Sequence, residues 1–158
     1  MPREQISFEP GTTEAPTREA GLTPDVLSPT RQAPRTVLVV EDDAEIRDAL
    51  EDLLDAEGYR VRSAGNGREA LRILETMPPR ECVMLLDMMM PVMSGIELLD
   101  VLERTHRLDG IPVIVLTASS ASSVERARAV LHKPAAAGRI LSEVASCFAE
   151  LAGLRAPV

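Results

Sequence analysis

From residue 36 onward, short apolar runs alternate with stretches in which apolar residues recur every three or four positions. The first run, Thr36 to Val40 (TVLVV), is continuous and β-branched, the pattern of a strand buried on both faces. A helical stretch follows, with Ile46, Leu50, Leu53 and Leu54 on one face and Gly58 as its stop. Tyr59, Val61 and Ser63 alternate with Arg60 and Arg62, which predicts a strand with one wetter side. Asn66-Gly67 marks a turn; Ala70, Leu71, Leu74 and Met77 form the next helical stripe, and Pro78-Pro79 ends it.

Cys82 to Leu86 (CVMLL) is a second buried strand, ending at Asp87. After the loop MMMPVMSG, Ser94 and Glu97 have capping-box spacing ahead of a helix through Ile96, Leu98, Leu99 and Leu102. Val113 to Leu116 (VIVL) predicts another strand, ending at Thr117. Ser122 and Glu125 repeat the capping-box spacing before a short helix, and Ala129 to Leu131 is the last strand, ahead of Lys133-Pro134. A final helix places Ile140, Leu141, Val144, Ala145 and Phe148 on one side. Five strands alternating with five helices predict an α/β domain with a parallel sheet.

The first 34 residues depart from this rhythm. They hold six of the twelve prolines, five threonines and no sustained apolar period, so residues 1–34 are expected to form a flexible tail. The domain is expected over 35–152, with 153–158 as a C-terminal tail. The net charge of −8 disfavours non-specific binding to nucleic-acid phosphates. Neither a membrane-length apolar run nor a hydrophobic N-terminal signal is visible, so no membrane partner is expected. Two cysteines, Cys82 and Cys147, give no disulfide framework, and a reducing cytoplasm is the simplest setting.

In open parallel sheets, sites form beyond the carboxyl ends of the strands. Those ends carry Glu41-Asp42-Asp43, Asp87, Thr117 and Lys133. Asp43 is equally well read as a helix cap. Lys133 is the chain's single lysine beside sixteen arginines, as expected where a compact point charge is needed rather than a planar fork. Glu41, Asp42 and Asp87 would repel one another without a cation, and an all-oxygen set suits Mg²⁺. A metal, an ammonium and a hydroxyl together form a receptor for a phosphoryl group, with Asp87 as the nucleophile.

The segments VLVVEDD, LLDMMMPVMSG, VIVLTA and HKP resemble the signature segments of response-regulator receiver domains of two-component signalling. The resemblance covers about residues 35–152. It implies a flavodoxin-like fold, a five-stranded parallel sheet of order 2-1-3-4-5 with helices on both faces. It also implies that Asp87 is the phosphoacceptor, Asp42 the direct Mg²⁺ ligand and Glu41 a ligand acting through water. The Met89 backbone carbonyl would be a further ligand, and Thr117 and Lys133 would contact the phosphoryl group. Two departures stand out. Only sixteen positions separate Thr117 from Lys133, which limits the fourth helix to about two turns. Val130 also stands where the family usually has an aromatic ring.

The expected function is that of a single-domain phosphorelay response regulator, since the chain ends at Val158. It would receive a phosphoryl group from a histidine kinase or phosphotransfer protein and signal by protein contact, without being an enzyme in its own right. A receiver-like scaffold, indifferent to phosphorylation, is the alternative. A phosphatase with an aspartate nucleophile would need a second acid two residues on, where this chain has Met89; a nucleotide site would need a Gly-rich loop after the first strand. His106 has no second ligand at metal spacing, and His132 should point to the opposite face of the strand from Lys133, so neither is expected to be catalytic.

Overall fold

A computed structural model describes residues 35–78, 82–120 and 124–155. The expected tail, residues 1–34, and the last residues, 156–158, lie outside the described residues. Strands β1 (Thr36–Val40), β2 (Arg60–Ala64), β3 (Cys82–Asp87), β4 (Val113–Thr117) and β5 (Ala129–His132) form one parallel sheet in the order β2-β1-β3-β4-β5. Helices α1 (Ala44–Ala56), α2 (Gly67–Glu75), α3 (Gly95–Arg104) and α4 (Ala137–Arg155) connect and flank them.

Alternation along the strands divides the core into two layers. Leu38, Val40, Met84, Leu86 and Val115 pack with Ala70, Leu74, Leu98 and Leu102 of α2 and α3. Val37, Val39, Val83, Leu85 and Ile114 pack with Leu50 and Leu54 of α1 and with Ile140, Val144 and Phe148 of α4. β1 and β3 are buried along their whole length because helices cover both faces. The outer strand β2 instead exposes Arg60 and Arg62, charges that discourage pairing with another chain. Cys82 and Cys147 are both buried, in opposite layers of the core. No described helix is long and apolar enough to cross a membrane.

Local signals set the helix starts. Asp43 Oδ1 accepts the backbone N–H groups of Glu45 (2.9 Å) and Ile46 (3.2 Å), and Asn66 Oδ1 accepts that of Glu69. The box at Ser94 closes both ways, with Ser94 N–H on Glu97 Oε2 and Glu97 N–H on Ser94 Oγ. The Ser94 backbone N–H holds the Glu97 carboxyl below its ordinary pKa. Gly58, at φ +83°, takes the left-handed turn that ends α1.

Two expectations need correction. The fourth helix is absent among the described residues: residues 118–120 and 124–128 form bends and turns, and the expected cap Ser122 lies outside them. The reason is length. Between the end of β4 and the start of β5 the chain has only residues 118–128, whereas a parallel crossover ordinarily takes a dozen or more. A two-turn helix would spend about seven of these to advance roughly 11 Å, leaving too few to climb off the sheet and return. Side chains hold the described residues of the connection instead. Val124, Ala127 and Val130 lie against the α2/α3 core layer, Arg126 pairs with Asp100 and Glu103 of α3, and Arg128 pairs with Glu150 of α4.

The second correction is at the C-terminus, where α4 runs through residues 153–155, past the expected boundary at 152. Gly153 does not stop the helix, since one glycine costs it only about 1 kcal/mol.

Candidate functional site

The carboxyl ends of β1, β3, β4 and β5 meet at one edge of the sheet, and each contributes a polar side chain there. Glu41 follows β1 and is 1% exposed; Asp87 ends β3 at 5% and Thr117 ends β4 at 4%. These are three of the four buried polar or charged residues of the described chain. Lys133, just past β5, reaches into the cluster: its Nζ lies 2.6 Å from Glu41 Oε2 and 3.5 Å from Asp87 Oδ2. Glu41, Asp42 and Asp87 each offer a carboxylate oxygen, all within 4.8 Å of one another.

Every buried oxygen in the cluster has a defined use. Glu41 Oε1 accepts the Asp43 N–H at 3.3 Å, and Asp87 Oδ1 accepts the Met89 N–H at 3.2 Å. Thr117 Oγ1 accepts the Ser119 N–H at 3.0 Å, and the Thr117 carbonyl accepts the Lys133 N–H at 2.8 Å. Asp42 is exposed and carries no hydrogen bond or ion pair among the described residues. Burial pushes the Glu41 carboxyl above its ordinary pKa, opposed by its hydrogen bond from Lys133 and reinforced by the Asp87 charge. Burial pulls the Lys133 ammonium down, but the bond to Glu41 and the charges of Asp87 and Glu41 outweigh it and hold its pKa above the ordinary value. Lys133 is therefore a fixed positive charge between two acids.

The residues singled out from the sequence thus fall into distinct positions. Glu41, Asp42, Asp87 and Lys133 come together through their side chains. Thr117 stands beside Lys133 through its backbone, with its hydroxyl turned to Ser119. Met89 is 74% exposed and touches Asp87 only through its N–H. Asp43 is a helix cap. His132 points away from the cluster, with Nδ1 3.1 Å from the Ser119 carbonyl oxygen. His106 is exposed at the end of α3, at φ +53°.

The loop after Asp87 is built by close backbone approach, which the sequence pattern does not reveal. A Cβ on Gly95 would stand 2.6 Å from the Asp87 carbonyl oxygen, and one on Gly67 would stand 2.7 Å from Met93 Cγ. The N–H groups of these glycines donate to the carbonyls of Met88 and Met93. Arg47 was also missed: its Nη1 donates to the Glu41 carbonyl at 2.8 Å. One signal could have found it, since a cation in the first turn of a helix opposes the macrodipole and needs another reason to be there.

Val92, in the same loop, is 69% exposed and has φ +69°, a left-handed conformation that is strained for a β-branched residue. Val92→Asn is expected to stabilise the fold by on the order of 1 kcal/mol, read as a higher urea midpoint. An unchanged or lower midpoint would contradict that strain.

The donor set fits a hard divalent cation. It is all oxygen, it has an unengaged carboxylate in Asp42, and it gathers more negative charge than Lys133 neutralises. Comparison with known proteins agrees. The sequence matches the response regulator receiver domain over residues 37–145, and the chain belongs to that family. It is 43% identical over 82 residues to the transcriptional regulatory protein CpxR of Klebsiella pneumoniae, an alignment covering 52% of this chain and 33% of that protein. It is 40% identical over 83 residues to the transcriptional regulatory protein AfsQ1 of Streptomyces coelicolor, covering 52% and 35%. The chain thus spans about a third of the length of these curated relatives. Among solved structures, the receiver domain of Francisella response regulator 1452 superposes with a TM-score of 0.66 at 28% identity, covering 73% of this chain and 98% of that one. Because both named relatives are transcriptional regulators, the acidic charge of this chain does not by itself exclude a nucleic-acid partner.

Proposed function

We propose that this receiver domain accepts a phosphoryl group on Asp87 from a histidine kinase or phosphotransfer protein and signals through protein contact in the cytoplasm. The observation that carries this reading is the Lys133 ammonium placed between Glu41 and Asp87 at the edge where Asp42 and Thr117 also stand. A scaffold indifferent to phosphorylation has no need of such a costly cluster, and the family match does not favour it.

An Asp87 carboxylate oxygen attacks phosphorus; an O–P bond forms as the P–N bond of a phosphohistidine breaks, and the histidine nitrogen leaves with the electron pair. Asp42 and Asp87, with Glu41 through water and the Met89 carbonyl, would hold Mg²⁺, which supplies charge neutralisation to the phosphoryl oxygens. Lys133 keeps its charge at any physiological pH and pairs with a phosphoryl oxygen. The Thr117 oxygen already accepts from Ser119 N–H, so the hydroxyl proton is free to be donated to another phosphoryl oxygen.

Incubation with acetyl phosphate and Mg²⁺ is expected to add the mass of one phosphoryl group, and a chelator is expected to prevent it. An adduct formed equally well in excess chelator would refute the metal's part. Absence of any adduct, in a folded protein, would refute the phosphoacceptor reading.

A further inference from the structure

Both backbone groups of Glu41 are held, its N–H on one side and its carbonyl, which begins the peptide to Asp42, on the other. The Glu41 N–H donates to the Ala64 carbonyl on β2 at 3.0 Å, and the Glu41 carbonyl accepts Arg47 Nη1 at 2.8 Å. A peptide unit is planar, so the direction of the Glu41 carbonyl also fixes the nitrogen and Cα of Asp42. On the other side of Asp42 the next peptide is held only by the longer bond from Asp43 N–H to Glu41 Oε1 at 3.3 Å, and the Asp42 side chain itself has no hydrogen bond or ion pair among the described residues.

We propose that Arg47 is a positioning residue for the acidic pair, holding the Glu41–Asp42 peptide so that the Asp42 carboxylate is set to meet a divalent cation. This rests on the reading above, in which Asp42 is a metal ligand.

The ordinary role of a helical arginine at the surface edge, half-buried as Arg47 is, would be an ion pair with an acid four residues on, here Glu51. The described ion pairs include none at Arg47, which turns back to a loop carbonyl instead. Its guanidinium is also confined. Nη1 lies 3.6 Å from where a Cβ on Gly65 would stand, against a loop whose Gly65 N–H is itself held by Glu69 Oε2 at 2.8 Å. A planar guanidinium donating to a carbonyl fixes an angle as well as a distance, which a rotating ammonium does not. Groups that orient metal ligands without touching the metal commonly change affinity by 10- to 100-fold when removed.

The test is titration of the purified chain with MgCl₂ by isothermal calorimetry, with circular dichroism confirming that each variant is folded. Arg47→Met keeps the aliphatic stem and is expected to weaken Mg²⁺ binding about tenfold. Arg47→Lys keeps the charge without the planar fork and is expected to weaken it severalfold; it carries the comparison if the methionine variant does not fold. Phosphorylation by acetyl phosphate should slow at subsaturating Mg²⁺ and recover towards the wild-type rate at saturation, because Asp87 and Lys133 are untouched. Wild-type affinity in Arg47→Met overturns the proposal. Full recovery in Arg47→Lys overturns it as well, by assigning the effect to charge. Failure of the wild-type protein to bind Mg²⁺ would instead overturn the functional reading on which the proposal stands.

Discussion

Gly95→Ala is expected to destabilise the protein by about 3 kcal/mol, the upper end of the range for overpacking. The added Cβ would lie 2.6 Å from the carbonyl oxygen of Asp87 and 2.9 Å from the Cα of Met88. Both are backbone atoms of the strand end that presents the candidate phosphoacceptor, so no side chain can swing aside to make room. Relief requires the start of α3 to move off β3, which weakens the 3.2 Å bond from Gly95 N–H to the Met88 carbonyl and shifts Asp87 with it. The same change at Gly138, where a Cβ meets nothing within 4 Å, is expected to stabilise α4 by up to ~1 kcal/mol. Urea unfolding of the two variants separates the effects. Equal midpoints for wild type and Gly95→Ala would contradict the close approach.

Lys133→Met should be nearly as damaging, and its cost should depend on pH. Breaking a buried ion pair ordinarily costs 3–5 kcal/mol; with the Lys133 side chain 21% exposed, a loss of about 3 kcal/mol is expected at neutral pH. Glu41 would be left almost fully buried beside Asp87 with no cation. Its pKa is raised in the folded state, so folding takes up a proton there. The cost of burying its charge is therefore absent well below the ordinary carboxylate pKa and fully imposed above the raised one. The stability gap between variant and wild type should widen from acid to neutral pH. A gap independent of pH would show that Glu41 does not depend on Lys133. Phosphorylation should fall in the same variant, and Lys133→Arg should not restore it, because a planar guanidinium does not replace a short ammonium contact.

How much of this was legible in the sequence varied with the kind of signal. TVLVV, CVMLL and VIVL fixed their strands because continuous β-branched and aliphatic runs fit only a sheet covered on both sides. The acids and Lys133 could be placed together because the ends of parallel strands share one edge. Helical stripes were less exact: Ile46 and Ile96 follow the apolar period yet are exposed, since each stands in the first turn, beyond the reach of the core. That the described residues between β4 and β5 hold no helix was only half legible: the short spacing already limited a helix to about two turns, while Ser122 and Glu125 have the spacing of a cap. The close approach at Gly95 and the bond from Arg47 join residues through backbone atoms, which no pattern of side chains encodes.

The short crossover also bears on how a phosphorylated state would be read out. Where the family usually has an aromatic ring, Val130 is half-buried against the α2/α3 core layer, and arginine ion pairs bind the segment around it to α3 and α4.

The role of Asp87 is tested most directly by locating the phosphoryl group itself. After treatment with acetyl phosphate and Mg²⁺, borohydride reduction of the acyl phosphate followed by peptide mass mapping identifies the modified carboxyl. The predicted result is a single modified residue, Asp87, in the peptide that includes β3, and no adduct at all in Asp87→Asn. Modification of Glu41, Asp42 or Asp43 instead, or an adduct that survives Asp87→Asn, would contradict the assignment.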